Sequence, residues 1–185
     1  MFVCVMKSGG IYHEGHVKRL QEELNRDLVC LTDKRFELDR VTCFPLRHNW
    51  EGWWSKIELF SLTGPVVYLD LDVTIEGNPD ELYRKKFTMW DDPLFKGYYN
   101  SSVMSWSVTP QHIYHKFLEE GQTLKRNYRR FPKGGDQGFI SDYAGEISSY
   151  KPGLIRSYRN DVKKNGIPNG TVVVAYHGRP KPWEV

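Results

Sequence analysis

The order of the first thirty or so residues constrains the fold more than any other feature of the chain. Phe2-Val3-Cys4-Val5-Met6 is a short apolar run rich in strand formers, and it stops at the small-residue turn Lys7-Ser8-Gly9-Gly10. From His16 to about Arg26 the apolar residues Val17, Leu20 and Leu24 fall at helical spacing with charges between them. Leu28-Val29-Cys30-Leu31 then reads as a second strand, ended by Thr32-Asp33. Strand, turn, helix and strand in that order form a β-α-β unit, so the sheet is expected to begin parallel.

The rest of the chain extends this alternation. Trp53 to Leu62 reads as a helix carrying Trp54, Ile57, Leu59 and Phe60; Gly64-Pro65 ends it, and Val66-Val67-Tyr68-Leu69 follows as a buried central strand. A short helix is expected over Asp80 to Lys86 and a strand over Val103 to Trp106. A helix is expected from Pro110 to Leu124, with Thr109 as N-cap and Pro at its first position. Gly135 to Tyr143 reads as a turn leading into a helix, and Thr171 to Tyr176 as a late strand. No repeat or low-complexity linker interrupts the 185 residues, so one α/β domain spanning 1–185 is expected.

Composition narrows the function classes. With 39% hydrophobic and 26% charged residues the chain is a folded globular protein, and its net charge of +3 is too mild to argue for nucleic acid by itself. Cys4, Cys30 and Cys43 form no C-x-x-C pair and leave an odd count, which fits reduced thiols in a cytoplasmic protein. No stretch of about 20 apolar residues occurs, so no transmembrane segment is expected.

Two segments carry chemistry. In Val-Val-Tyr-Leu-Asp70-Leu-Asp72-Val, side-chain alternation sends both carboxylates to one side. Paired carboxylates after an apolar run repel each other and lose solvation, and a divalent cation such as Mg²⁺ or Mn²⁺ removes both penalties. The plain alternative is one acid capping a loop and one in solvent. The second segment is Val-Val-Val-Ala-Tyr-His177-Gly178-Arg179-Pro180-Lys181-Pro182-Trp183. A strand there delivers an imidazole, a Gly whose backbone can approach a ligand, and a Lys fixed between prolines that suits a phosphate. Its plain alternative is a rigid tail in which Trp183 packs down.

Together these segments resemble the retaining glycosyltransferases of the family 8 type, of which this would be a small single-domain member of bacterial or phage kind. Further matches follow in order: Gly52-Trp53-Trp54-Ser-Lys56-x-Glu58-Leu-Phe60, Tyr99-Asn100-Ser101-Ser102-Val-Met104, Gly135-Asp136-Gln137-Gly138 and Ser149-Tyr150-Lys151. The resemblance runs from Lys7 to Trp183 and includes no counterpart of the C-terminal region that many relatives use for acceptor or membrane contact. It implies a single-domain GT-A fold, Rossmann-like with a mixed, mostly parallel central sheet. It also implies that Asp70, Asp72 and His177 hold Mn²⁺ (or Mg²⁺), while Gly178 and Lys181 contact the diphosphate of a UDP-sugar donor. Lys7, Ser8 and Gly9 would lie by the base and ribose, Asn100 and Ser101 in the donor site, and Asp136 and Gln137 on the sugar. A Gln amide under the anomeric carbon is a poor nucleophile, which favours front-face substitution through an oxocarbenium-like state over double displacement. Ser102 and Gly138 depart from the family's usual Gly and Asp, which leaves the donor sugar open.

Other readings remain beside this one. Gly-Asp136-Gln137-Gly is also a turn with a helix N-cap, and Lys56 reaches either the metal carboxylates and a phosphate or only solvent. Lys125-Arg126-Asn-Tyr128-Arg129-Arg130-Phe131-Pro-Lys133, with five cations and two aromatics, suits a nucleic-acid acceptor, a lid over the donor, or a solvated helix end. A glycan or lipid-linked glycan is the competing acceptor. His13-x-x-His16 and His112-x-x-His115 read as ordinary surface histidines. Outside glycosyl transfer, the rivals are a nucleotidyltransferase on a related sheet and a non-catalytic carbohydrate- or nucleic-acid-binding module.

Overall fold

The computed structural model describes residues 1–130 and 134–185. Its strands are β1 (Phe2–Met6), β2 (Leu28–Thr32), β3 (Val41–Pro45), β4 (Val66–Leu69), β5 (Val73–Ile75), β6 (Thr88–Asp91), β7 (Tyr99–Trp106), β8 (Ser148–Ser149), β9 (Ile155–Ser157) and β10 (Val173–Ala175). The longer helices are α1 (Glu14–Leu24), α2 (His112–Leu124) and α3 (Gly135–Tyr143). Seven strands form the central sheet in the order β3-β2-β1-β4-β7-β6-β8, and β5-β10-β9 make a small second sheet. The central sheet is mixed and mostly parallel: β1 runs parallel to β2 and β4, β2 to β3 and β6 to β8, while β7 is antiparallel to β4 and β6.

The β-α-β unit forms as its sequence dictates. Along β1, Phe2, Cys4 and Met6 face one core with Val17, Leu20 and Leu24 of α1, while Val3 faces the other. β4 divides likewise, Val67 and Leu69 against Val66 and Tyr68. Both faces of the sheet are covered, which is why these strands read as unbroken apolar runs. α1 starts at Glu14, two residues before the expected His16, because His13 and His16 build its cap. The His13 ring accepts from the Gly15 N–H at 3.1 Å, and the His16 ring accepts from the His13 N–H at 3.1 Å. His16 is thus a buried capping residue and not the surface histidine expected.

Three helix expectations are corrected. Gly52–Ser61 is a 3-10 segment. In a 3.0-residue turn i and i+3 eclipse, and that spacing stacks Trp54, Ile57 and Phe60 into one core stripe. Every residue from Trp54 to Phe60 is buried, leaving no wet face of the kind a surface α-helix has. Asp80 to Lys86 shrinks to a single 3-10 turn, Pro79–Leu82, capped by the Asn78 side chain. α2 begins at His112, since the Thr109 hydroxyl accepts from Trp106 Nε1 at 3.1 Å and donates to the Gly64 carbonyl at 3.4 Å instead of capping. Of the basic stretch, Lys125–Tyr128 is a 3-10 turn; Phe131, Pro132 and Lys133 lie outside the described residues.

Among the described residues no helix is long and apolar enough to cross a membrane. Cys4 and Cys30 are buried free thiols and Cys43 is partly exposed.

Candidate functional site

A cavity of about 1110 Å³ opens where β1 and β4 end and β7 begins, and the start of α3, the 3-10 segment and the residues after β10 complete its wall. Open α/β sheets place ligands at the carboxyl ends of their parallel strands. Lys7, Ser8, Gly9, Lys56, Asp70, Asp72, Asn100, Ser101, Asp136, Gln137, His177 and Gly178 all line it. Lys181 is not among the lining residues and reaches the site through Asp72.

One part of the wall is a buried ionic network. The Lys56 ammonium lies 2.9 Å from Asp70 Oδ1, 2.9 Å from Asp136 Oδ2 and 3.0 Å from Ser101 Oγ. Ser101 Oγ donates to Asp136 Oδ2 at 2.7 Å, and the Tyr68 hydroxyl donates to Asp70 Oδ1. Burial by itself would lower the Lys56 pKa, but Asp136 and Asp70 outweigh it and hold the ammonium above the ordinary lysine range. Lys56 is therefore a fully engaged cation and not a helix-surface lysine. Asp136 lies in the first turn of α3 and is buried; Gly134, not Asp136, stands at the N-cap.

The other part is built by the tail. Asp70 and Asp72 lie on the turn between β4 and β5 rather than on the strand, while Leu71 packs into the core beneath. Asp72 Oδ2 accepts from the Tyr12 hydroxyl at 3.0 Å and from the Lys181 ammonium. Burial and the neighbouring charge of Asp70 push the Asp72 carboxyl above its usual range, against the pull of Lys181 and Tyr12. The antiparallel pairing of β10 with β5, extended by the Tyr176 N–H to the Asp72 carbonyl at 3.0 Å, brings His177 to the cavity. Burial lowers the His177 pKa and favours neutral imidazole; Ser157 Oγ bonds its Nε2 at 2.6 Å. Gly178 has φ of 79°, and a Cβ there would stand 3.5 Å from the Arg159 guanidinium. Trp183 packs on His16, ring centroids 3.9 Å apart, and edge-on to Tyr12 at 6.0 Å. The tail packs down through Trp183, and the same segment brings His177 to the cavity wall and Lys181 to Asp72.

The donor set of two carboxylates and a neutral imidazole suits a divalent cation by its chemistry. As placed, the carboxylates are neutralised by Lys56 and Lys181, and among the described residues no three His, Cys, Asp or Glu side chains are gathered at metal-ligand spacing. Loading of a cation therefore asks Lys181 to leave Asp72.

At the first strand's end, Lys7 Nζ lies 2.7 Å from Asp33 Oδ2 and 3.0 Å from Asn49 Oδ1, while the Ser8 N–H and hydroxyl also bond Asp33. Burial works to raise the Asp33 carboxyl, and these hydrogen bonds from Lys7 and Ser8 outweigh it, holding it below the ordinary range. Asp33, Tyr12, Ser157 and Arg159 are site residues that the sequence reading did not single out. Asp33 carried a signal, as the acid just past a parallel strand; the others are set by contacts between distant segments. Asn100 is buried in the wall, its side chain accepting from the Ser102 N–H at 2.9 Å. Tyr150 is structural, donating to the Leu82 carbonyl at 3.1 Å.

No family profile and no curated protein sequence matches the chain. Solved structures do match. An active-site mutant of LgtC aligns with a TM-score of 0.71 at 13% identity, over 98% of this chain and 89% of that one. The galactosyltransferase LgtC in complex with donor and acceptor sugar analogues aligns at 0.69 and 14% identity, over 98% and 88%. The glycosyltransferase GlyE of Streptococcus pneumoniae TIGR4 aligns at 0.71 and 12% identity, over 98% of this chain and 56% of that one. The likeness is one of fold, the mixed α/β architecture of GT-A glycosyltransferases.

Proposed function

We propose that this chain is a metal-dependent retaining glycosyltransferase that moves a sugar, a hexose on our reading, from a UDP-sugar to an acceptor hydroxyl. The observation that carries the reading is the convergence of Asp70, Asp72 and His177 with Asp136 and Gln137 on one cavity at the strand ends. That the same fold serves donor and acceptor sugars in LgtC supports it. Buried free thiols suit a reducing compartment, and cytoplasmic residence belongs to the same proposal.

On this reading Asp70, Asp72 and His177 hold Mn²⁺ or Mg²⁺, and the ion, when bound, neutralises charge on the departing diphosphate. Lys181 exchanges Asp72 for a diphosphate oxygen, and Gly178 lets the backbone approach the same group. Lys7, Ser8 and Gly9 border the nucleotide end of the cavity, and Asn100 and Ser101 the sugar end. Lys56 and Ser101 fix the Asp136 carboxylate, whose oxygens then orient the sugar hydroxyls. Gln137 sits beneath the reacting carbon and offers an amide rather than a nucleophilic carboxylate. The acceptor oxygen bonds to the anomeric carbon on the face from which the diphosphate departs. The bond from that carbon to the phosphate oxygen breaks, and the hydroxyl proton passes to the leaving oxygen. The products are a glycoside of retained configuration and UDP.

Asp72→Ala is expected to abolish Mn²⁺-dependent UDP binding measured by calorimetry. Unchanged affinity in the variant overturns the metal assignment.

A further inference from the structure

A second cavity, of about 610 Å³, adjoins the first and shares Glu51, Trp53, Lys125, Asp136 and Gln137 with it as a common wall, while Arg126 and Arg129 line the second alone. We infer that this second cavity is the acceptor subsite and that it takes a sugar bearing a phosphate group; the inference rests on the transferase reading above. Position is the first argument. An acceptor must reach the carbon that Gln137 faces without displacing the nucleotide, and the second cavity opens onto Gln137 from the side away from Asp70 and Asp72, which do not line it.

Charge is the second. Lys125, Arg126 and Arg129 line this cavity, and both arginines are exposed without an ion pair or hydrogen bond to any described residue. Two carboxylates also line it: Glu51, and Asp136, which is already neutralised by Lys56. Guanidinium groups left unpaired at a cavity wall offer planar forks that match phosphate oxygens two at a time. The Lys125 ammonium sits over the rings of Trp54 and Phe117, 5.8 and 5.7 Å from their centroids, which holds its charge at this wall without a carboxylate partner.

The third argument is the platform. Trp53 is 61% exposed although it is a large indole. It is seated by Gly135, whose φ is 67° and where a Cβ would stand 2.9 Å from Trp53 Nε1. An exposed indole lining the same cavity as guanidinium groups suits a pyranose ring against it with a phosphate beside the ring. A single-stranded nucleic acid is served by a longer groove with several stacking rings in succession, whereas among the described residues lining this cavity Trp53 is the one strongly exposed aromatic ring.

The test uses the full chain with UDP and Mn²⁺ at saturation, and calorimetry with four probes: glucose 6-phosphate, farnesyl-diphosphate-linked glucose in micelles, methyl glucoside and a ten-nucleotide oligo-uridine. At least one of the two phosphate-bearing sugars is expected to bind about tenfold or more tighter than methyl glucoside, as charge-assisted hydrogen bonds imply. Whichever of the two binds tighter identifies a soluble or a lipid-linked source. Arg126→Gln with Arg129→Gln should erase that preference; both side chains are exposed, and an unchanged thermal midpoint confirms the fold. Equal binding of charged and uncharged sugars, a preference that survives in the double variant, or tighter binding of the oligonucleotide overturns the inference. UDP affinity, measured first on the same protein, separates the two readings. UDP binding without the phosphate preference sinks the subsite alone, and absence of UDP binding sinks the transferase reading.

Discussion

Asp70 and Asp72 are separated by one residue, yet they are held by opposite kinds of structure. Asp70 is fixed from inside: Lys56 comes from the buried 3-10 segment, Tyr68 from β4, and the same ammonium holds Asp136. Asp72 is fixed from outside: its cation, Lys181, arrives from a tail 109 residues away in sequence. The inner cluster is anchored by Lys56 and Asp136, both buried, although Asp70 itself faces the cavity. The outer one is closed by a segment that packs on Tyr12 and His16 through one tryptophan. A site that must stay shaped for a sugar and yet admit a cation and a diphosphate is served by that division, with rigidity at Asp136 and exchange at Asp72.

The inner cluster is where the largest effect is expected. Lys56→Met leaves two carboxylates facing a buried, uncharged side chain, and removing one partner of a buried ion pair costs about 3–5 kcal/mol. Urea unfolding should show that loss, with an unchanged m-value if the native fold is kept. A loss below about 1 kcal/mol would mean that the network is wet and that the inner and outer halves do not differ as argued.

Amide substitutions sharpen the same contrast. Asp70→Asn removes one of the two carboxylates on Lys56 and should cost about 2 kcal/mol. Asp72→Asn should instead stabilise the metal-free protein at neutral pH by roughly 1 kcal/mol, because it removes a charge that is buried beside Asp70. The sign follows from its raised pKa. Such a carboxyl contributes its full stability below the ordinary value near about 4, and that contribution is lost as pH rises through the higher folded value. The gap between variant and wild type should therefore open on the alkaline side of about pH 4. Thermal unfolding from pH 3 to 8 in chelator measures it, and equal signs for the two variants would erase the distinction.

Much of the inner half was legible in the sequence, and less of the outer. β1, β2 and β4 were readable because they are strongly patterned and covered by both cores. The 3-10 geometry around Lys56 was not, since Trp54, Ile57 and Phe60 fit a helix of either pitch on a string of letters. β5 and β9 have three residues each, too few for a period to register. The strand over Val66 to Leu69 was read with its observed bounds, but sending Asp70 and Asp72 to one side by alternation required it to run on through Asp72, and it does not. Pairing of Lys181 with Asp72, of His177 with Ser157 and of Lys7 with Asp33 depends on where distant segments dock, which no local pattern encodes.

The outer half yields two smaller effects. If a cation and Lys181 compete for Asp72, Lys181→Ala should bind Mn²⁺ several-fold tighter than wild type when no nucleotide is present, and UDP more weakly when Mn²⁺ is saturating. Weaker Mn²⁺ binding in the variant would show that the lysine does not oppose the ion.

The smallest effect belongs to the tail's anchor. Trp183 is 37% exposed and covers His16 and Tyr12 rather than the sheet. Trp183→Ala should accordingly cost only about 1 kcal/mol of global stability, well below a buried aromatic. Its consequence should be local. Amide exchange is expected to speed up at Tyr176 to Glu184, where the Lys181 and Glu184 hydrogen bonds pin the segment, while β1, β2 and β4 keep their protection. Freed tail and unchanged sheet would mean that Lys181 stays on Asp72 only because Trp183 keeps it there. Faster exchange spreading into β4 would instead join the outer half to the core and remove the basis for treating the two carboxylates differently.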